Sequence, residues 1–361
     1  MKPSDLSKID KFTCCELCGA IHLHTTYSDG GVNYRELIEA SRSLKLDYII
    51  VTDHMNLGGL DNGFEGRYGN LSVIVGYEHN DRRNLNHYLA IGCKQVFSKI
   101  KKPRDYISAI KNGGGIGFLA HPNEKRHYFG HLPPYPWTDW KVSGYDGIEI
   151  WNQMSDWMEN LKSWFSIFRL MYPRRFIGTV PPELLQRWDQ LNKTHFVSGI
   201  GGVDAHTRRI GKKPFSLVVF PIKVELKGIR THLYLDNPLS NDFCVAKKTI
   251  IDSLRDGRGF ISNYRRGDAH GTKIFIEYSN GLVALPGKQS CETELPGVIH
   301  VSIPESGRIS LIHNSIEVEV RYGNKATFPI IKQGVYRIEV HRESKAWIYS
   351  NPFPVGKYPI R

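Results

Sequence analysis

The chain has no run of about 18 apolar residues that could cross a bilayer as a helix. Its opening stretch, Met1-Lys2-Pro3-Ser4-Asp5-Leu6-Ser7, holds no apolar signal region either. A soluble, cytoplasmic protein is expected. Cysteine is sparse, with six in 361 residues. Only Cys14, Cys15 and Cys18 cluster, giving one Cys-x-x-Cys spacing without the second pair that a structural zinc site needs, so reduced thiols are expected. Also missing are a Gly-x-Ser-x-Gly elbow, a P-loop and a dinucleotide glycine fingerprint, which removes the usual sequence signs of a serine hydrolase or a nucleotide cradle. There is no internal repeat and no low-complexity segment.

Charge is lopsided rather than absent. Lysine and arginine total 48 against 36 acidic residues, a formal net charge of +12. A positive field concentrates anions, so the expected partner is a small anionic, phosphorylated substrate. The basic residues are dispersed in pairs such as Lys101-Lys102 and Arg208-Arg209, with no basic tail and no zinc-finger or helix-turn-helix signature. No nucleic-acid-binding motif is therefore indicated.

Up to about residue 265, short apolar runs alternate with amphipathic stretches, the pattern of βα units around a parallel sheet or barrel. Strands are predicted at 20–24, 48–52, 71–76, 87–92, 116–120, 147–151, 196–201 and 217–221. Helices are predicted at 33–46, with Asn33 as N-cap and Glu36 completing a capping box, and at 103–112, begun by Pro103 and stopped by Gly113-Gly114-Gly115. Further helices are predicted at 154–171, 182–191 and 246–256. Beyond 265 the texture changes to short strands at 273–278, 297–303, 308–313, 316–322, 325–330, 334–341 and 345–349, separated by turn residues. That pattern suggests a small β-sandwich. The expected division is an extension at 1–16, a barrel at 17–265 and a β-sandwich at 266–361.

The most telling positions are polar residues where apolar strands end. In Ile21-His22-Leu23-His24 the two-residue strand period puts both imidazoles on one face. The runs ending in Thr52-Asp53-His54, Tyr77-Glu78-His79, His121-Pro122 and Asp204-Ala205-His206 repeat the theme. A barrel keeps its active site at this end of its strands. A single buried histidine is commonly a hydrogen-bonded core residue, but recurrence at five strand ends is not explained by packing.

The series His-x-His, Ser-Asp-Gly, Thr-Asp-His, Gly-x-Glu, Ala-His-Pro and Asp-x-His resembles the polymerase and histidinol phosphatase (PHP) family of metal-dependent phosphoesterases. The resemblance spans about residues 17–265. The β-rich end, closing in Ala346-Trp347-Ile348-Tyr349-Ser350-Asn351-Pro352, more loosely resembles the two-domain branch with CehA/McbA-type hydrolases. The resemblance implies a distorted (β/α)7 TIM-like barrel with a C-terminal β-sandwich, holding two or three divalent ions. By it, His22, His24, Glu78 and Asp204 would hold one ion. Glu78 would bridge to a second held by His87 and His121, with His79 competing for the place of His87. Asp29, His54 and His206 would hold a third.

Imidazoles mixed with carboxylates suit zinc, manganese or iron better than magnesium or calcium. Asp53 is a candidate for orienting a ligand imidazole or relaying a proton, the alternative being strand-end capping. Arg126, Arg208 and Arg209 are candidates for clamping a phosphate, the alternative being solvated surface. Glu149 and Asn152 are placed to line the pocket, and the aromatic loop 128–140 to shape its entrance. The reaction expected is hydrolysis of a phosphate mono- or diester of a nucleotide, sugar or short oligonucleotide by metal-activated water. Cleavage of a carbamate or amide on the same ions, and a non-catalytic scaffold with a structural metal, are the alternatives.

Overall fold

The computed structural model describes residues 3–125, 133–159, 161, 176–210, 217–288 and 295–357. Arg126, part of the aromatic loop and most of the predicted helix 154–171 lie outside the described residues, as does the side chain of Arg209. Among those described, no helix is long and apolar enough to cross a membrane.

The architecture is mixed α/β. Strands β1 (Cys15–Leu23), β2 (Tyr48–Val51), β3 (Gly66–Tyr68), β4 (Leu71–His79), β5 (Tyr88–Ile91), β6 (Ile116–Leu119), β7 (Gly147–Asn152) and β8 (Ser198–Gly202) supply the part that carries the predicted site. Strand β1 pairs parallel with β2 and β2 with β4, while β6, β7 and β8 form a second parallel run. Strand β5 joins the two and runs antiparallel to both neighbours, a departure from the all-parallel pattern expected. Its link to β4 is too short for the crossover that a parallel pair requires. At the far side, the N–H groups of Val203 and Ala205 donate to the carbonyls of Ile21 and His22, and that of His24 donates to the carbonyl of Ala205. The ends of β1 and β8 are thus tied together.

Apart from β3, which is half-buried throughout, these strands are buried over nearly their whole length, as apolar runs such as Tyr48-Ile49-Ile50-Val51 and Val73-Ile74-Val75 predict for strands covered on both faces. The helix Tyr34–Ser43 covers one flank and starts at a reciprocal capping box: Asn33 accepts from the Glu36 N–H at 3.0 Å, and Glu36 from the Asn33 N–H at 3.3 Å. The helix Pro103–Asn112 starts at its proline and stops at Gly113.

Strands β9 (Arg208–Ile210) and β10 (Leu217–Val219) form a hairpin beside the site. Strands β11 (Ile229–Leu235) and β12 (Gly259–Asn263), separated by the helix Phe243–Arg255, extend the sheet antiparallel from β1. The remaining strands are β13 (Lys273–Tyr278), β14 (Val283–Ala284), β15 (Gly297–His313), β16 (Ile316–Ile330), β17 (Gly334–Arg342), β18 (Lys345–Ser350) and β19 (Phe353–Val355), all paired antiparallel. Four predicted strands merge into the two long ones, β15 and β16, whose register shifts between Ser302 and Gly307 where breaks were expected. Pairing of β12 with β18 carries the hydrogen bonding across residue 265. A buried bidentate pair, Arg337 Nε and Nη2 at 2.8 and 3.1 Å from the two oxygens of Asp189, joins β17 to the helix Pro182–Thr194.

Candidate metal centre

Nine side chains from six places in the chain, six imidazoles and three carboxylates, come together in one cluster. Glu78, at the end of β4 and 1 % exposed, is the hub. Its Oε2 lies 3.0 Å from His22 Nε2 and 3.3 Å from both His24 Nε2 and His54 Nδ1. Its Oε1 lies 2.7 Å from His87 Nδ1 and 3.0 Å from His121 Nε2. Asp204 Oδ1 faces His22, His24 and His206 at 3.4–3.5 Å. Asp29 completes the group: Oδ2 is 3.3 Å from His206 Nε2 and Oδ1 is 3.8 Å from His24 and His54.

The backbone at three of these positions is unusual. His22, His121 and Asp204 have φ of +65°, +28° and +54°, a region that non-glycine residues enter at a cost of about 1–3 kcal/mol each. At His22 the β1–β2 register also shifts. The two histidines of His22-x-His24 therefore face the same carboxylates across a bulge rather than by plain strand alternation.

Asp29 reaches the cluster because Gly31 allows its loop to pack backbone against backbone. A Cβ there would stand 1.7 Å from the Thr207 carbonyl oxygen, and the Gly31 N–H donates to the His206 carbonyl. Asp53 points elsewhere than at a ligand imidazole. It accepts from the Thr25 N–H at 2.7 Å, the Thr25 hydroxyl at 2.8 Å and the Ser28 hydroxyl at 2.6 Å. Its contacts are those of a residue that fixes the turn carrying Asp29. His79 packs its ring on Tyr106 at 4.2 Å, on the face of β4 opposite Glu78, and burial lowers it to about 4.

Glu149, inside the apolar strand β7, binds three donors. Its Oε1 is 2.8 Å from His22 Nδ1, and its Oε2 accepts from the His121 N–H at 2.7 Å and from Asn152 Nδ2 at 2.9 Å. The space exists because residue 202 is glycine, whose missing Cβ would fall 1.7 Å from Glu149 Oε1. The sequence signal was an acid within an otherwise apolar strand; its three partners were not legible. Glu225 had no local signal. It is fully buried, burial raises it to about 7, and it accepts from the His206 and Thr207 N–H groups and the Thr207 hydroxyl.

Electrostatics fit a cation site. Burial would raise Glu78, yet the histidines around it, led by His22, His54 and His87, hold it well below the carboxylate range. For His24 and His121 burial opposes charge, but Asp204 and Glu78 around the first, and Glu78 and Glu124 around the second, lift them to about 9. His54 goes the other way, lowered by burial to about 4. Protons stand where cations would, and His24 Nδ1 and His87 Nε2 are buried without a hydrogen-bond partner. Donor atoms close enough to share an ion form four overlapping groups: His24, Asp29, His54 and His206; His22, His121 and Asp204; His22, His24 and Glu78; and His54, Glu78 and His87. The sets overlap more than the expected three: His24 joins the Asp29 group, and His121 stands with His22 and Asp204. No such group among the described residues contains a cysteine. These residues fit divalent ions of the zinc, manganese or iron type.

The cluster floors a cavity of about 440 Å³. Its walls are Asn80 and Asn84 from the β4–β5 loop, Tyr135, Met154, Met158, Arg208 and Phe220. Arg208 is thus at the mouth, exposed, and Tyr135 stacks on His87 with ring centroids 5.1 Å apart.

Residues 20–120 match the family model of the PHP domain. That stretch is similar to a PHP domain. The matched span holds six of the nine converging residues, from His22 to His87. His121, Asp204 and His206 come from beyond it. No curated protein matches the chain. Among solved structures, it is similar to a two-domain protein from Bacteroides vulgatus containing a predicted PHP-like metal-dependent phosphoesterase, at 14 % identity over 94 % of this chain and 95 % of that one, with a TM-score of 0.46. PsfC from Pseudomonas syringae is 12 % identical over 66 % and 89 % (TM-score 0.40). An amidohydrolase from Chromobacterium violaceum with bound sulfate is 14 % identical over 52 % and 87 % (TM-score 0.33).

Proposed function

We propose that this chain is a metal-dependent hydrolase that cleaves a phosphate ester with water. The observation that carries the reading is the convergence of six imidazoles and three carboxylates with donor atoms close to one another, seven of them, His54, His87, His121, His206, Asp29, Glu78 and Asp204, lining one cavity. His22, His24, Asp29, His54, Glu78, His87, His121, Asp204 and His206 would hold two or three divalent ions. Such ions make a bound water nucleophilic near neutral pH and offset the charge on a phosphoryl group. The protein's own part is positional. Glu149 holds the His22 ring and the His121 backbone, Glu225 holds the 206–207 turn, and Asp53 holds the turn before Asp29. Arg208 offers the mouth a positive charge for a phosphate oxygen.

Within this reading, strands β1, β2 and β4–β8 make up a distorted barrel at 17–265, which the hydrogen bonds between the ends of β1 and β8 support, and the antiparallel strands of 266–361 make up a β-sandwich. The test is hydrolysis of p-nitrophenyl phosphate and bis(p-nitrophenyl) phosphate by protein loaded with manganese or zinc. Cleavage abolished by EDTA and by His24→Ala is the expected result. Cleavage of aryl carbamates or amides with neither phosphate ester touched would overturn it in favour of a carbonyl hydrolase, and full metal loading without turnover of any ester would favour a scaffold.

A further inference from the structure

The walls of the cavity above the cluster include two unlike sets of residues. In one, Asn80 donates to the Asn84 side chain at 2.8 Å, and both residues line the space. The other is Met154, Met158 and Phe220. The two methionines are one helical turn apart on the short helix Gln153–Glu159, so they share a face. Phe220 is held against Trp157 edge-on, ring centroids 4.6 Å apart, with a backbone φ of +57°. A bulky residue in that region needs its surroundings to keep it there. The wall is fastened to the reacting centre by Asn152, whose Nδ2 donates to Glu149 at 2.9 Å and Asp204 at 3.3 Å just before the helix that bears the methionines.

From this geometry we infer that Met154, Met158 and Phe220 form the leaving-group subsite, and that the substrate is a phosphate ester of an apolar, ring-bearing alcohol rather than of a sugar. The inference rests on the phosphoesterase reading and names its substrate class. A sugar placed against this wall would set several hydroxyls against thioethers and a phenyl ring, which offer no strong donor or acceptor, and hydroxyls left unpaired there are costly. An aryl or cycloaliphatic group meets a polarizable surface that favours sulfur–aromatic and ring–ring contact. In the reaction, the water oxygen bonds to phosphorus and the bond from phosphorus to the alcohol oxygen breaks. One water proton ends on the alcohol and the other on the released hydrogen phosphate.

Binding of phenylphosphonate and methylphosphonate, which share the anion and cannot be hydrolysed, to the metal-loaded protein separates this inference from the reading beneath it. Titration calorimetry gives the two dissociation constants, and metal analysis confirms equal loading of each variant. Phenylphosphonate is expected to bind at least about tenfold tighter, since even single methylene differences in apolar pockets reach that factor. Met158→Ser should shrink the ratio severalfold and Met158→Leu should keep it. Equal affinity for the two phosphonates, or a ratio unmoved by Met158→Ser and by Met154→Ser, would overturn the subsite while leaving phosphoesterase activity on p-nitrophenyl phosphate standing. If neither phosphonate binds and no phosphate ester is cleaved, the phosphoesterase reading fails and this inference falls with it.

Discussion

Replacing Glu149 by glutamine tests the claim that a residue touching no substrate sets the protonation of a ligand. A carboxylate can accept at both oxygens, and here it takes His22 Nδ1 on one and the His121 N–H plus Asn152 Nδ2 on the other. Only the tautomer with a proton on Nδ1 satisfies this, and it leaves Nε2, the atom 3.0 Å from Glu78, free to bind an ion. An amide cannot serve all three donors. If its oxygen faces His121 and Asn152, its NH2 faces His22 Nδ1 and favours the tautomer protonated on Nε2, which cannot ligate. If it is flipped, the NH2 opposes two donors in a buried strand. Loss of such a partner typically costs ten- to a hundredfold in metal affinity, about 1.4–2.7 kcal/mol. Glu149→Gln should therefore fold, with near-native circular dichroism, yet lose about that factor in zinc or manganese affinity by competition with a chelating dye. Affinity within twofold of the parent in a folded variant would refute the argument.

Protons and ions compete for the same imidazoles. His24 and His121 are raised to about 9 in the ion-free fold, against about 6.5 when unfolded, so folding takes up protons between those values. Their contribution to stability is then fully present below about pH 6.5 and lost as pH rises through about 9. Denaturant titrations of chelator-treated protein should show stability falling over that window, while metal affinity rises over it; flat profiles would contradict both. Gly31→Ala should displace the 28–31 loop from Thr207, part Asp29 from His206 and lower the number of ions bound, read by elemental analysis after dialysis. An unchanged stoichiometry would mean that the loop gives way elsewhere. Arg337→Ala strands the buried Asp189 carboxylate and should cost about 3–5 kcal/mol, measured by urea denaturation, without changing metal content.

The strand ends were readable because their chemistry is local: an apolar run that stops at His, Asp or Glu identifies both the strand and the residue it presents. His22, His54, Glu78, His121, Asp204 and His206 all announced themselves in this way. Capping at Asn33 and the proline start at Pro103 were readable for the same reason, since each rests on contacts within four residues. Long-range geometry was not. Nothing near Tyr88 says that β5 runs antiparallel, because direction depends on where the chain returns after His79. Strands β11 and β12 escaped notice because His232, Arg230 and Asn263 interrupt their apolar runs, and these polar groups are satisfied by residues far away, such as Glu16 for His232. Turn residues at 304–307 suggested a strand break where the pairing only shifts register. For Asp53 the sequence left two roles open, because a carboxylate beside His54 has two possible neighbours, and in the fold its hydrogen bonds go to Thr25 and Ser28.

The backbone at the three strained positions, His22, His121 and Asp204, is held by bonds outside the cluster. His22 gives its carbonyl to the Ala205 N–H, His121 gives its N–H to Glu149, and Asp204 lies between two N–H groups bound to β1, those of Val203 and Ala205. Each of these bonds joins backbone at one strand end to another strand, and none requires an ion. Left-handed conformations at about 1–3 kcal/mol apiece are offset by such bonds, made in the interior where an unpaired group would cost about 1–3 kcal/mol. The arrangement of these side chains is thus a property of how β1, β6, β7 and β8 are joined, and ions would enter a site already shaped for them. Side chains can then be exchanged between proton and metal without moving the strands, which is why loss of an ion should show in protonation and affinity long before it shows in fold.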